Sequence, residues 1–174
     1  MTATNWSAAF LKHLRIRKPV PLSQWADAHR VIGDGAGPEP GRWRTERTPY
    51  MRTIMDAVTS PDVSEIVMCT GVQLGKTELL LNTICYYAQY EPAPILLVEP
   101  SEELARDIGR DRIDAMIYAS PELKVLFGIS EADRVKTGVL KLDVKRFLGG
   151  YLKLASAASP TCTLPLYSGR AHSK

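Results

Sequence analysis

The sequence has 174 residues, of which 45% are hydrophobic and 24% charged, and its net charge is +3. This balance indicates one globular domain with an ordinary core, and the charge is too small to identify a binding partner by itself. Three cysteines without a C-x-x-C pair support neither a disulfide framework nor a zinc site. There is no run of about 18 apolar residues and no signal-peptide pattern, so we expect a soluble, cytoplasmic protein without a membrane partner.

The first 45 residues are predicted to form a helical, basic segment that ends in a connector. An apolar stripe over residues 6–14 has helical spacing, and basic residues follow it. Ser23 is the expected N-cap of a short second helix that runs through Trp25 and Ala28. Residues 33–41 contain four glycines and two prolines, which predicts an irregular connector with neither strand nor helix.

A further helix is predicted to begin after Pro49 and to end at residues 60–62, where Ser-Pro-Asp breaks it. Tyr50 lies in its first turn, about one short helix and one strand before a Gly-Lys-Thr sequence. An aromatic ring so placed could stack on a nucleotide base, and a position in the core is equally compatible with the spacing.

The Gly-Lys-Thr sequence stands between an apolar run at residues 66–69, which predicts a strand, and an apolar helix that extends to Tyr90. Strand, loop and helix in this order are the context of a phosphate-binding loop, in which backbone N–H groups and the helix N-terminus attract phosphate. Lys76 would then reach the terminal phosphates, and the Thr77 hydroxyl would ligate Mg²⁺. The predicted nucleotide-binding residues of the loop are Gly71, Val72, Gln73, Leu74, Gly75, Lys76 and Thr77.

The match to the G-x-x-x-x-G-K-[ST] consensus is imperfect. Thr70 occupies the leading glycine position, and Gly71 comes one place late. The alternative interpretation is a glycine-containing strand-to-helix turn with an exposed lysine.

Strands and helices alternate downstream, which predicts an α/β fold with a P-loop NTPase-type parallel sheet and flanking helices. The first predicted segments are a strand at 95–98 that is buried on both faces and a helix that is capped by Ser101, extends to about residue 118 and has a salt-bridged outer face. A short helix is predicted after Pro121. Strands at 140–145 and 151–156 follow, with a turn at 149–150 between them.

Basic residues dominate positions 134–153, where Asp143 is the one acid. They indicate either a surface that binds DNA phosphates or a solvated face. The basic residues are Arg134, Lys136, Lys141, Lys145, Arg146 and Lys153.

Seven sequence blocks, in order along residues 20–160, resemble the large terminase subunit of tailed phages, specifically the lambda-type ATPase and endonuclease that packages DNA into proheads. The blocks are Leu22–Asp27 with His29 and Arg30, Pro40–Thr45, Thr48–Tyr50, Gln73–Glu78 with Asn82, Glu99–Ser101, Lys145–Phe147 and Ala155–Pro160.

The resemblance implies an ATPase that uses ATP and Mg²⁺. It implies that Lys76 is the catalytic phosphate ligand, that Thr77 is the metal ligand, and that Tyr50 contacts the adenine. The implied partners are double-stranded DNA, a terminase small subunit and the portal protein of the prohead, all in the cytoplasm of a bacterial host.

The sequence departs from the family after residue 160. The family continues to an apolar strand that ends in paired acids and to a nuclease domain, and neither follows here. We therefore expect a truncated chain whose sheet is incomplete at the C-terminus, divided into an N-terminal segment (1–45), a partial ATPase domain (46–160) and a divergent tail (161–174). Glu78 and Glu99 are the carboxylates nearest in sequence that could replace the paired acids.

Two alternatives remain from the sequence. One is an inactive remnant that binds nucleotide or DNA without turnover, and the other is an unrelated helicase-like P-loop NTPase.

Overall fold

The computed structural model describes residues 20–33, 39–129 and 144–158, which form a mixed α/β arrangement. The helices are α1 (Leu22–His29), α2 (Pro49–Val58), α3 (Lys76–Tyr90), α4 (Glu102–Asp107), α5 (Ala115–Ala119) and α6 (Pro121–Leu126). A 3-10 turn covers Thr45–Arg47, and a π-helix at Ile108–Asp114 joins α4 to α5. The strands are β1 (Val31–Ile32), β2 (Gly41–Arg42), β3 (Ile95–Glu99), β4 (Val144–Phe147) and β5 (Gly150–Ser156). Within these ranges no helix is long and apolar enough to cross a membrane.

Most predicted elements are confirmed within a few residues. These include α2, α3, α6, β3 and β5, as well as the N-cap of α4, where the Leu104 N–H donates to Ser101 Oγ at 3.2 Å. The predicted helix over residues 6–14, the first residues of the 140–145 strand and the tail from residue 161 lie outside the described residues.

The three-stranded sheet is mixed and not purely parallel as predicted. Its order is β3-β5-β4, with β3 parallel and β4 antiparallel to β5. The reason is the two-residue link between β4 and β5, because a parallel pair needs a crossover of a dozen or more residues. Gly149 has φ +90° in this link, and a Cβ on Gly150 would lie 2.7 Å from the Ala93 carbonyl oxygen. The hairpin therefore turns tightly against the loop that precedes β3.

Strand β3 is less buried than predicted. It lies at the edge of the described sheet, and Val98 is 44% exposed. Burial on both faces is typical of a central strand with helices on each side of the sheet. Among the described residues β3 is not a central strand.

The predicted strand at residues 66–69 is wrong for the described structure. Residues 63–71 have no regular secondary structure, and Val67 is 83% exposed. The apolar pattern favours a strand, but a strand is stabilised only when its backbone N–H and C=O groups pair with a neighbour. No described strand pairs with this segment.

The first helix packs into the core against α2 and α3, and its start differs from the prediction. Ser23 is not the N-cap, because α1 begins at Leu22 after Pro21. The Leu22 N–H donates to Thr59 Oγ1 at 3.3 Å, and the Ser23 N–H donates to Asp56 Oδ1 at 3.1 Å. Side chains from the end of α2 thus satisfy N–H groups that an N-cap residue would otherwise satisfy.

The segment that leads into α2 is fixed by buried polar contacts. The Thr45 N–H donates to Asp27 Oδ1 at 2.6 Å, and Trp43 Nε1 donates to Thr45 Oγ1 at 3.1 Å. The end of the predicted irregular connector is also ordered, since Gly41 pairs with Ile32 in the short β1–β2 ladder. The start of α2 is therefore held in a defined position relative to α1.

Lys145 is a buried residue and not part of an exposed basic face. Its side chain is 0% exposed, and Nζ lies 2.5 Å from Oδ1 of Asp114 at the end of the π-helix. Burial raises the pKa of the Asp114 carboxyl, and the hydrogen bond and charge of Lys145 oppose that rise. The pair joins β4 to the helices that cover the sheet.

Replacing Lys145 with Met should destabilise the protein by roughly 3 kcal/mol, because it leaves the largely buried Asp114 carboxylate without its partner. Urea denaturation would measure the change in the free energy of unfolding. Arg146→Met is the matched control, since Arg146 is exposed on the same strand and should change stability by less than about 0.5 kcal/mol. Equal stability of the two variants would contradict the structural importance of the buried pair.

Cys85 is fully buried in α3, with Sγ 3.3 Å from Met116 Sδ. Burial raises the pKa of its thiol from 9.0 to about 12, and the charge of Arg30 acts in the opposite direction. Since the thiolate is disfavoured in the folded state, this group contributes stability that is complete below pH 9.0 and is lost as the pH rises toward about 12.

Iodoacetamide at pH 8 should therefore modify the exposed Cys69 and leave Cys85 intact until urea unfolds the protein. Peptide mapping by mass spectrometry would locate the modification, with Cys162→Ser as the background chain. Modification of native Cys85 as fast as Cys69 would show that α3 is not packed as described.

Candidate phosphate-binding site

The turn before α3 places two residues in the left-handed region of backbone space. Gln73 has φ 60°, and Gly75 has φ 84° as the residue that caps α3. A Cβ on Gly75 would not clash, since the nearest atom, the methyl carbon of Met51, would lie 3.8 Å away. Glycine is therefore favoured here by its positive φ and not by lack of space. Met51 follows Tyr50 in the first turn of α2, and its proximity to Gly75 brings that turn beside the loop.

The helix α3 begins at Lys76, which is its first residue, and the side chain of Lys76 folds back over the loop. Its Nζ donates to the carbonyl oxygens of Thr70 and Gly71 at 3.2 and 2.5 Å and to Thr70 Oγ1 at 3.3 Å. The first intrahelical bond runs from the Leu79 N–H to the Gly75 carbonyl oxygen, so the N–H groups of residues 76–78 have no partner within the helix. An ammonium group and several helix-terminal N–H groups thus occur within one turn, which is a donor set suited to phosphate.

The other predicted loop residues are surface residues. Val72 is 87% exposed and Leu74 is 40% exposed, so their contribution to a ligand would be through the backbone. Thr77 is the second residue of α3 and is half-buried. No group of three or more His, Cys, Asp or Glu side chains in the described ranges is arranged to hold a metal ion.

Tyr50 lies at the surface, with 53% of the residue exposed. The alternative of a core tyrosine therefore does not apply, whereas its neighbour Met51 is buried. Base stacking by the Tyr50 ring stays a prediction.

One face of α3 carries a polar network that sequence reasoning missed. Arg30, at the end of α1, is 3% exposed, and its Nη2 lies 3.0 Å from Oε2 of Glu78. Arg30 Nε donates to Asn82 Oδ1 at 3.1 Å, and Nη1 donates to the Val31 carbonyl oxygen. The sequence signal was Asn82, an amide in the mostly apolar part of α3, but nothing in the sequence identified Arg30 as its partner.

The opposite face of α3 borders a mainly apolar cleft of about 400 Å³. Lys76, Leu80 and Thr83 line the cleft from α3, and Ile66 and Met68 line it from the irregular segment at residues 63–71. The cleft is therefore adjacent to the loop lysine, and the Arg30 network is on the far side of the helix.

The basic residues predicted to contact DNA are only partly described. Lys145 is buried against Asp114, so it does not belong to a DNA-facing surface in this structure. Arg146 is exposed and Lys153 is half-buried. Arg134, Lys136 and Lys141 lie outside the described residues.

Comparison with known proteins identifies the family. The model of the phage terminase large subunit gpA, ATPase domain, matches residues 37–164. The chain therefore belongs to this family of terminase large-subunit ATPase domains.

Two curated relatives are similar over most of the chain. The terminase large subunit of Enterobacteria phage P21 is 28% identical over 137 residues, which are 76% of this chain and 20% of the relative. The terminase large subunit of Escherichia phage lambda is 26% identical over 145 residues, which are 82% of this chain and 21% of the relative. The chain thus spans about a fifth of the length of these relatives. No solved structure gave a significant match.

Proposed function

We propose that the chain binds ATP at residues 70–77 as part of a terminase large subunit whose whole activity is the packaging of double-stranded DNA into proheads. The observation that carries this proposal is the placement of the Lys76 ammonium over a turn that is capped by left-handed Gly75 at the N-terminus of a 15-residue helix. Family membership supports ATP as the ligand. The terminase small subunit and the portal protein are the proposed partners, in the host cytoplasm.

The donor groups of the turn determine how phosphate would be held. A phosphate oxygen would replace the Thr70 and Gly71 carbonyl oxygens as partners of Lys76 Nζ, exchanging neutral acceptors for charged ones. The N-terminal N–H groups of α3 would bind further oxygens, and the positive end of the helix would favour their charge. Thr77 would hold Mg²⁺, which supplies charge neutralisation of the phosphates when bound.

The surface position of Tyr50 fits the proposed contact with adenine, because Met51 fixes the first turn of α2 beside Gly75. The division into residues 1–45, 46–160 and 161–174 stays a proposal about segments of the sequence. The core packing of α1 means that residues 22–29 contribute to the same fold as the ATPase segment.

Nucleotide binding without efficient turnover is the second candidate function, and the ion pair that engages Glu78 favours it. Glu78 is ion-paired with Arg30, so its carboxylate is held on the flank of α3 and not over the loop. Glu99 ends β3, and burial raises the pKa of its carboxyl. Of the two, Glu99 is the better candidate for activating water.

Replacing Lys76 with Ala should weaken binding of a fluorescent ATP analogue about ten- to a hundredfold, because a charge-assisted contact to phosphate is worth roughly 1.5–3 kcal/mol. Fluorescence titration in the presence of Mg²⁺ would measure the dissociation constants. Lys124→Ala is the control for loss of a lysine away from the loop.

Equal affinity of the parent chain and Lys76→Ala would remove the phosphate-loop assignment. Phosphate release measured in the same samples separates the two candidate functions. Turnover that vanishes in Lys76→Ala and in Glu99→Gln supports an active ATPase, and binding with background turnover supports a nucleotide-binding segment.

Replacing Tyr50 with Ala should weaken binding of the same analogue severalfold, by about 0.5–1.5 kcal/mol, because a stacked ring is lost. Tyr50→Phe should keep most of the affinity, since stacking uses the ring and not the hydroxyl. Circular dichroism would check that both variants remain folded. If Phe and Ala weaken binding equally, the contact is made by the hydroxyl.

A further inference from the structure

The Arg30 side chain lies along one side of the first two turns of α3. It contacts Glu78 and Asn82, which are four residues apart and therefore on the same face of the helix, and its charge also reaches Cys85, three residues further on. Lys76 and Leu80 line the cleft on the opposite face. The buried Arg30 guanidinium thus contacts α3 on the face opposite to the cleft and Lys76.

The buried charge of Arg30 is stabilised by this network of contacts. A guanidinium does not lose its proton in a protein, so its burial is tolerated only when hydrogen-bond acceptors and an opposite charge surround it. Glu78 supplies the charge, and Asn82 and Val31 supply neutral oxygens. Asn82 Nδ2 is buried and has no hydrogen-bond partner among the described residues, which indicates that the amide is oriented by its oxygen toward Arg30.

Glu78 is the third residue of α3, in the turn whose N–H groups would bind phosphate. A carboxylate at a helix N-terminus interacts favourably with the helix but competes with a bound anion for the same positive potential. The ion pair with Arg30 neutralises this carboxylate and directs it to the flank of the helix, whereas Lys76 points over the loop.

We propose that Arg30 is a positioning residue for nucleotide binding, which holds the Glu78 carboxylate away from the phosphate and keeps the N-terminus of α3 electropositive. This inference rests on the proposed ATP binding at residues 70–77. It assigns a role in the site to a residue of α1 that lies 46 positions before Lys76 in the sequence.

The test is a double-mutant cycle with Arg30→Met, Glu78→Gln and the double variant, made in the 174-residue chain. Binding of the fluorescent ATP analogue and urea unfolding are measured for each. Arg30→Met should weaken binding about three- to thirtyfold at low salt, because it leaves a negative charge in the first turn of α3. Adding Glu78→Gln should restore most of the affinity, since that charge is then gone.

Arg106→Met is the matched control, because Arg106 forms an exposed pair with Glu102 on α4 and its loss should not change nucleotide affinity. A purely structural Arg30 would change unfolding without rescue of binding by Glu78→Gln, and that result would overturn the inference. Weaker binding in Arg30→Met that is restored in the double variant would support the inference, even if the double variant is less stable.

Glu78→Gln alone provides the readout if Arg30→Met does not fold. The charge of Arg30 is then unneutralised, so nucleotide affinity should rise severalfold and its salt dependence should steepen. Unchanged affinity would overturn the role of Arg30. A parent chain that does not bind the analogue at all would instead overturn the proposed function, which separates the two failures.

Discussion

Helix α3 starts at Lys76 because Gly75 adopts a left-handed backbone conformation, and the rest of the site depends on that start. For a residue with a side chain this conformation costs about 1–2 kcal/mol, so glycine sets the direction in which the helix leaves the turn. Side chains on different faces of α3 have three different surroundings. Its buried side chains fill the core, Glu78 and Asn82 meet Arg30, and Lys76 lies over the loop beside an apolar cleft.

Local patterns in the sequence predicted the elements whose stability is mainly local. Ser101 caps α4 as expected, and the apolar runs at β3 and β5 form strands, because N-caps, turn glycines and hydrophobic periodicity act over a few residues. The phosphate-loop context was also visible from residues 70–77, although the geometry of Lys76 toward Thr70 and Gly71 was not.

The predictions that failed depended on distant partners. Residues 66–69 have the composition of a strand, but pairing decides whether a strand forms, and composition does not specify the neighbour. Ser23 has the chemistry of an N-cap, yet the N–H groups at the start of α1 are bound by the side chains of Asp56 in α2 and of Thr59, which follows α2. Lys145 lies in an alternating pattern typical of an exposed strand face, and its buried partner Asp114 is 31 residues away in the sequence. Arg30 was missed for the same reason, since its partner lies 48 residues away.

The hairpin turn at Gly149 and Gly150 has a consequence for the alignment of the whole sheet. A Cβ on Gly150 would lie 2.6 Å from Phe147 Cε2, and one on Gly149 would lie 2.7 Å from Pro92 Cβ, so no residue with a side chain can take either place without displacing a neighbour. A slip of β5 by one residue would bring Tyr151 into this position and would turn the buried Leu152 to the other face. Because β5 pairs with β3 from Ile95 to Glu99, two residues without side chains fix the register of three strands.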